Sequence, residues 1–519
     1  IEATRAGEPG FNHLLPNEIS VAYRTQLQDF YTHYQNALKN YDRAQLNAEG
    51  QISYDVLAWE CQVNLDGLSF PTHLLPLNQF YSLNLTIGQL AGGTSAQPFK
   101  TVRDYKDWLN RLDLFVAWCD TALVNMKKGV EAGYVLPKAL TVKVIPQFEA
   151  LSKGPVEDHL FYSPVGMMPE DFSEADRESL TNSYNKMVIE RLIPTFSAIT
   201  NYLQTDYLAA SRASSGISDL PGGRAYYDTQ IRKYTTTTMT ADEIFDLGEN
   251  EVARIEGEMK KVMAEVGFEG ELKDFFGHLR TKPELLPFDE PQQVIDNFNA
   301  IHEKMKPNLE KLFDLVPKAP FEVRRTEAFR EASSSAEYNP GSTDGTRPGI
   351  FYVPIPDVKK YSTLSDEDLF LHEAIPGHHY QISLAQENEA LPDFRRTLWY
   401  SAYGEGWALY SESLGKELGL YTDPYQYFGM LSAEMHRAIR LVVDVGMHVK
   451  GWTREQAIEY SLAHEAESES SVIAEIERYM SWPGQALSYK VGQLKIRELR
   501  AKAEKAKGEA FDVKAFHRQ

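Results

Sequence analysis

At 519 residues the chain is long enough for one large enzyme or for two to four modest domains, and 43% of it is apolar and 12% aromatic against 24% charged. That balance excludes a disordered chain and predicts folded structure nearly throughout. With 53 Lys and Arg against 74 Asp and Glu, the formal charge of -21 repels phosphate backbones, so nucleic acid is set aside as a partner and the acidity is read first as solubility.

The chain opens at Ile1 with neither a methionine nor a charged-then-apolar leader, and the expectation is of a trimmed chain that has lost a signal or lipoprotein leader. No apolar run approaches the ~20 residues that span a bilayer, so no transmembrane segment is expected within it. The dominant period is helical. Leu27, Phe30, Tyr34 and Leu38 recur at three- and four-residue steps, as do Tyr105, Trp108, Leu109, Leu112, Val116, Cys119, Leu123 and Met126, and each set predicts a buried helix face. Cys61 and Cys119 allow at most one bridge, and buried free thiols or a single disulfide both remain open.

The Ser/Gly/Pro-rich stretch 214–223 interrupts the periodicity and is taken as the break between an N-terminal helical lobe, 1–215, and a second lobe, 216–519, the two forming one large enzyme unit. Ile244, Leu247, Ile255, Met259 and Val262 mark another helix face. Thr240 to Glu243 and Thr453 to Gln456 fit capping boxes, which predicts helix starts at both. A loop at 333–349, rich in Ser, Gly, Asn and Pro, leads into a strand-like run, 350–353. No internal repeat or low-complexity tract stands out.

Thirteen histidines are scattered, yet His372, His378 and His379 cluster beside Glu373, after a helix expected to start near Ser365. Zinc hydrolases need neutral imidazoles to hold the ion, a carboxylate to take a proton from water, and an open coordination position. His372 and His378 stand six residues apart (378 − 372), not one turn apart; on a regular helix they would diverge by about 120° and roughly 9 Å. Pro376-Gly377 resolves this, because proline removes a backbone bond and glycine tolerates unusual dihedrals, allowing a bulge that returns the second histidine to the ion. Glu405, 32 positions after Glu373 (405 − 373), offers a third ligand. Glu412 follows on the same helical face and can orient a histidine from behind. The other His-Glu pairs, His302-Glu303 and His464-Glu465, lack these partners.

The runs HEAIPGHHYQ, EGWALYSE, RLVVDVGMH and RYMSWPGQALSYKVG, with LPGGRAYY and TADEIFDLGENEV upstream, resemble the bacterial domain-of-unknown-function family 885, viewed as gluzincin-like metallopeptidases. The resemblance covers most of the chain and thins toward the N-terminus. More distantly, the order HE, GH and then a glutamate on a later helix is similar to thimet oligopeptidase, angiotensin-converting enzyme and carboxypeptidase Taq, which have HExxH without the two-residue insertion found here. Dipeptidyl peptidase III has one extra residue at that place. The resemblance implies His372, His378 and Glu405 as zinc ligands and Glu373 as general base, with His379 outside the ligand set. It also implies short peptide substrates and an exported, periplasmic or lipid-tethered origin.

His436, Arg440, Asp444 and His448 form a polar stripe that is either a salt-bridged helix face or a channel lining, and the resemblance favours the channel. A peptidase also needs an oxyanion donor and a cation for a substrate carboxylate; Tyr489 is expected as the donor, with Arg478, Tyr479 and Lys490 near substrate. The expected fold is mainly helical and two-lobed, gluzincin-like, with a small sheet beside the active-site helix and a deep channel. The alternatives are a helical carboxylate-histidine iron protein, against which no repeated Glu-x-x-His unit is found, and a catalytically silent peptide-binding protein, which would have no need of Glu373.

Overall fold

The computed structural model describes residues 1–5, 7–92, 96–327, 331, 335–342 and 347–519. The chain divides into two compact units, Ile1–Thr229 and Gln230–Gln519. Among the described residues no helix is long and apolar enough to cross a membrane.

The first unit is helical. Helix α1 (Val21–Leu38) packs on α2 (Ala48–Leu68), and α3 (Val102–Ala132) runs through its core. Thr101 and Asp104 form a capping box that starts α3, and Gly133, at φ 76°, ends it in the left-handed conformation. Tyr105, Trp108, Leu112, Val116, Cys119 and Met126 are buried as their spacing predicts, with Leu109 and Leu123 half-buried against them. Arg111 lies on the same buried face because its guanidinium donates to Leu14, Gln97, Thr4 and Phe11 oxygens.

The expected buried face of α1 is corrected. The helix forms, but Phe30 and Tyr34 are 52% and 42% exposed and only Leu38 is buried. Phe30 and Tyr34 pack on each other instead, with ring centroids 4.8 Å apart. Periodicity specifies a helix; it does not specify what covers the face. Cys61 and Cys119 are both buried free thiols, which settles the open alternative.

In the second unit, α4 (Ala241–Glu265) begins at the Thr240–Glu243 capping box and buries Ile244, Ile255, Met259 and Val262. Helix α5 (Pro291–Leu312) lies against a sheet of β1 (Phe321–Arg325), β2 (Glu337–Asn339) and β3 (Gly349–Val353). The order is β1-β3-β2, with β1 parallel and β2 antiparallel to β3. The expected strand 350–353 is therefore the central one, and its apolar run suits burial on both faces. Of the expected loop 333–349, residues 333–334 and 343–346 lie outside the described residues, and β2 occupies part of the remainder.

After the sheet come α6 (Asp366–Glu373), α7 (His378–Glu387), α8 (Ser401–Glu412), α9 (Pro424–His448), α10 (Arg454–His464), α11 (Glu469–Ser481) and α12 (Ser488–Lys507). The Thr453–Gln456 capping box starts α10 as expected. Helices α8 and α12 meet backbone to backbone: a Cβ on Gly406 would lie 2.6 Å from the Gly492 Cα, and one on Gly492 would collide with the Ala402 carbonyl. That close approach fixes the position of α8, which carries Glu405 and Glu412.

Candidate metal centre

Asp366, Glu367 and Asp368 fill the first turn of α6, where the helix dipole favours negative charge. Asp366 also accepts from Asn297 and Tyr361, and Glu367 from Lys304, so the start of α6 is anchored. The helix stops at Glu373. Ala374 takes φ -106° and ψ -102°, the Ile375-Pro376 peptide is cis, and Gly377 takes φ -73° and ψ -130° before α7 begins at His378. The expected bulge within one helix is thus a complete break between two. Gly377 crosses the end of α6 so closely that a Cβ there would collide with the carbonyl oxygens of His372 and Leu371. The Trp407 indole of α8 donates to the Pro376 carbonyl at 2.8 Å and braces the turn. As a result the His372 and His378 rings lie 4.8 Å apart and nearly perpendicular, at 88°.

On α8, Glu405 and Glu412 stand two turns apart on one face. The Glu405 Oε2 lies 3.6 Å from His372 Nε2 and 3.4 Å from His378 Nε2. Among the described residues these three form the group whose donor atoms converge, all within 4.8 Å of one another. Donor atoms gathered this closely could hold one small cation between them. Two imidazoles and a carboxylate are also a donor set that catalytic zinc sites use. Glu412 Oε1 lies 2.7 Å from His372 Nδ1, so that once the ring gives up one proton the hydrogen stays on Nδ1 and Nε2 carries the lone pair. His378 Nδ1 is buried and unpartnered, a departure from that pattern, with the Trp399 ring 5.8 Å away.

The electrostatics place protons and a cation in competition for these atoms. Burial pulls His372 down, but hydrogen bonds to Glu405 and Glu412 outweigh it and push its pKa up to about 10. Burial would raise Glu405, but its bonds to His372 and His378 hold it well below the ordinary carboxylate range. Glu373 is half-buried, and burial raises its carboxyl while His372 and His378 oppose the shift. A carboxyl raised in this way is better matched to proton transfer near neutral pH.

The remaining sequence-predicted residues separate into two sets. His379 turns to the sheet, with its Nδ1 2.9 Å from the Tyr338 hydroxyl and its ring 4.9 Å from Phe321; burial lowers its pKa to about 4. Tyr489 is half-buried under the Arg440 guanidinium, 4.6 Å from its ring; burial raises its pKa, as does the nearby Glu405 charge, so its hydroxyl stays protonated. Arg440, Arg478 and Tyr479 share Glu475, at 3.0, 2.9 and 2.6 Å. His448 is fully buried with Nε2 3.1 Å from the Tyr479 carbonyl, and Asp444 accepts from the Gly484 amide, so this end of the α9 stripe is internal packing. Lys490 is also fully buried and spends its three donors on Glu434, Glu251 and Gln493, which removes it as a cation for substrate. Sequence reasoning missed Asp368, whose buried carboxyl feels the charges of Glu412 and His372, together with Trp399 beside His378 and Trp407 under the turn. Asp368 stands one turn before His372, a spacing that could have marked it; the others carry no local signal.

Fold and site together define a mainly helical protein in which three helices, α6, α7 and α8, bring two imidazoles and a carboxylate to one point whose donor types could take a transition-metal ion. The chain belongs to the family described as bacterial protein of unknown function (DUF885), whose model matches residues 1–519. It is similar to the crystal structure of a candidate lipoprotein from Colwellia psychrerythraea, with 28% identity, a TM-score of 0.89, and coverage of 99% of this chain and 92% of that one. A candidate lipoprotein of unknown function from Shewanella oneidensis shares the fold at 20% identity and a TM-score of 0.77, with the same coverages of 99% and 92%. PZ peptidase A bound to an inhibitor aligns at 11% identity and a TM-score of 0.28 over 93% of this chain and 88% of that one, a likeness too weak to carry an argument. No curated protein matches the sequence.

Proposed function

We propose that the protein is a zinc-dependent peptidase acting on short peptides. The observation that carries this reading is the convergence of His372 Nε2, His378 Nε2 and Glu405 Oε2 beside Glu373, with His372 held from behind by Glu412. When bound, zinc supplies a Lewis acid that acidifies water and polarises a peptide carbonyl. Glu373 accepts the proton of the attacking water on its carboxylate and returns it to the leaving amine nitrogen. Tyr489, protonated and near Glu405, donates its hydroxyl hydrogen to the developing oxyanion. Arg440 and Arg478 add positive charge beside Tyr489. The likeness to a candidate lipoprotein supports an exported, periplasmic or lipid-tethered origin.

The test is a mixed short-peptide library incubated with zinc-loaded and with chelator-stripped protein and read by mass spectrometry. New peptide products from the loaded protein alone, with about one zinc per chain, are expected; the fragments also report whether cleavage starts from the N- or the C-terminus. No products from zinc-loaded protein, or products undiminished by stripping and unrestored by zinc, refute the reading.

A further inference from the structure

The turn that sets His378 against His372 is held from outside by the Trp407 indole, which donates to the Pro376 carbonyl at 2.8 Å. Trp407 is itself held by a side chain distant in sequence, His517 on α13 (Val513–Arg518). The imidazole meets the indole edge-on, with ring centroids 5.7 Å apart at 84°, and stacks flat on Phe313 at 4.5 Å and 17°. Phe313 and Tyr410, with ring centroids 6.3 and 5.7 Å from that of Trp407, are the other walls of an aromatic box around it. Trp407, Phe313 and Tyr410 are buried, whereas His517 is half-buried and the least covered of the four.

The hydrogen bonds of His517 run in one direction. The Leu312 carbonyl at the end of α5 can only accept, so Nδ1, 2.9 Å away, carries the hydrogen. Arg500 of α12 donates to the Tyr410 hydroxyl oxygen at 3.1 Å, and the phenol hydrogen goes on to His517 Nε2 at 2.8 Å. Burial lowers the His517 pKa from its ordinary 6.5, against the pull of the Leu312 bond, which keeps the ring neutral at pH 7 and Nε2 an acceptor. The run Arg500, Tyr410, His517, Leu312 thus ties α12, α8, α13 and α5 together around the indole. We propose that His517 is a positioning residue for the metal centre: by walling in Trp407 and anchoring Tyr410, it fixes α8 against the Pro376-Gly377 turn and so sets the His372 and His378 rings. Glu405 and Glu412 ride on the same helix, so one anchor serves both sides of the centre. The inference rests on the metal-binding part of the proposed function and not on peptide cleavage.

The test is the rate of zinc release from the full chain to excess chelator, with the visible absorption of the cobalt(II)-loaded protein as a second readout of how the ligands are arranged. His517→Ala should speed release about five- to tenfold and shift the cobalt bands. His517→Gln, whose amide can donate to Leu312 and accept from Tyr410, should recover part of the loss. Arg518→Ala breaks the exposed pair of α13 with Asp314 and serves as the control for general loosening of that helix, with release expected within about twofold of the unmodified chain. Trp407→Phe, which keeps a ring but loses the bond to Pro376, should also speed release, and adding His517→Ala to it should change the rate by less than about twofold, because both act through the same contact. If His517→Ala fails to fold, His517→Phe, which keeps the flat ring and loses both hydrogen bonds, takes its place in the cycle. Release and cobalt bands unaltered by the His517 variant, a glutamine no better than alanine, an Arg518→Ala effect as large, or full additivity with Trp407→Phe each overturns the inference. An unmodified chain that takes up neither metal refutes the metal reading and this inference with it, whereas a loaded chain indifferent to His517 refutes the inference alone.

Discussion

Replacing Glu412 by leucine removes the one partner of His372 Nδ1, a contact of 2.7 Å between side chains that are 2% and 5% exposed. A charge-assisted hydrogen bond in such a place contributes about 1.5–3 kcal/mol, and each 1.4 kcal/mol is tenfold in an equilibrium constant, so the loss corresponds to about 10- to 100-fold weaker hold on the ion. Equilibrium affinity is the wrong readout. The same carboxylate helps raise His372 to about 10 in the empty site, so deleting it also relieves proton competition and masks part of the loss. Release of zinc to excess chelator starts from the loaded site and avoids this. The release rate should rise about 10- to 100-fold for Glu412→Leu and about 3- to 10-fold for Glu412→Gln, which keeps a neutral acceptor. A Glu412→Leu rate within threefold of the unmodified protein refutes the assignment of Glu412 as the orienting group.

Lys490→Met should cost about 3 kcal/mol of stability in denaturant melts, because Glu434 and Glu251 lose a buried cation; a raised KM with unchanged stability would instead assign Lys490 to substrate. Gly377→Ala should destabilise the protein by about 2–3 kcal/mol and lower its zinc content, since the new methyl collides with the end of α6; a folded, fully loaded variant contradicts the account of the break. In the zinc-free protein His372, raised from 6.5 to about 10, holds a proton at pH 8. Zinc binding at pH 8 should therefore release about one proton from it, seen as a buffer-dependent enthalpy that fades above pH 11. The sign for stability follows from the same shift: the pairing of His372 contributes fully below pH 6.5 and is lost as pH rises through about 10, which melts of zinc-free protein across that window should register.

Much of the centre was legible because its chemistry is local. His372, Glu373, His378 and Glu405 declare themselves by residue type and spacing, and Pro376-Gly377 announces a break even though its form, two helices in place of one bulged helix, depends on how α8 packs against the turn. The capping boxes at Thr240 and Thr453 were equally plain, since a cap is decided within four residues. Long-range partners were not legible. Lys490 reads as a candidate substrate cation until Glu251 and Glu434 arrive from distant helices, and His448 reads as channel lining until the Tyr479 carbonyl closes over it. Phe30 and Tyr34 failed for the same reason in reverse, a helical face for which the fold supplies no full cover.

The most direct test of the central claim is the Glu373→Gln protein, which keeps the shape of the side chain but cannot accept a proton. Zinc content should stay at about one per chain while hydrolysis of a verified peptide substrate falls by at least ~100-fold. Turnover equal to that of the unmodified protein, with contaminating protease excluded, would contradict the mechanism even with the zinc site intact.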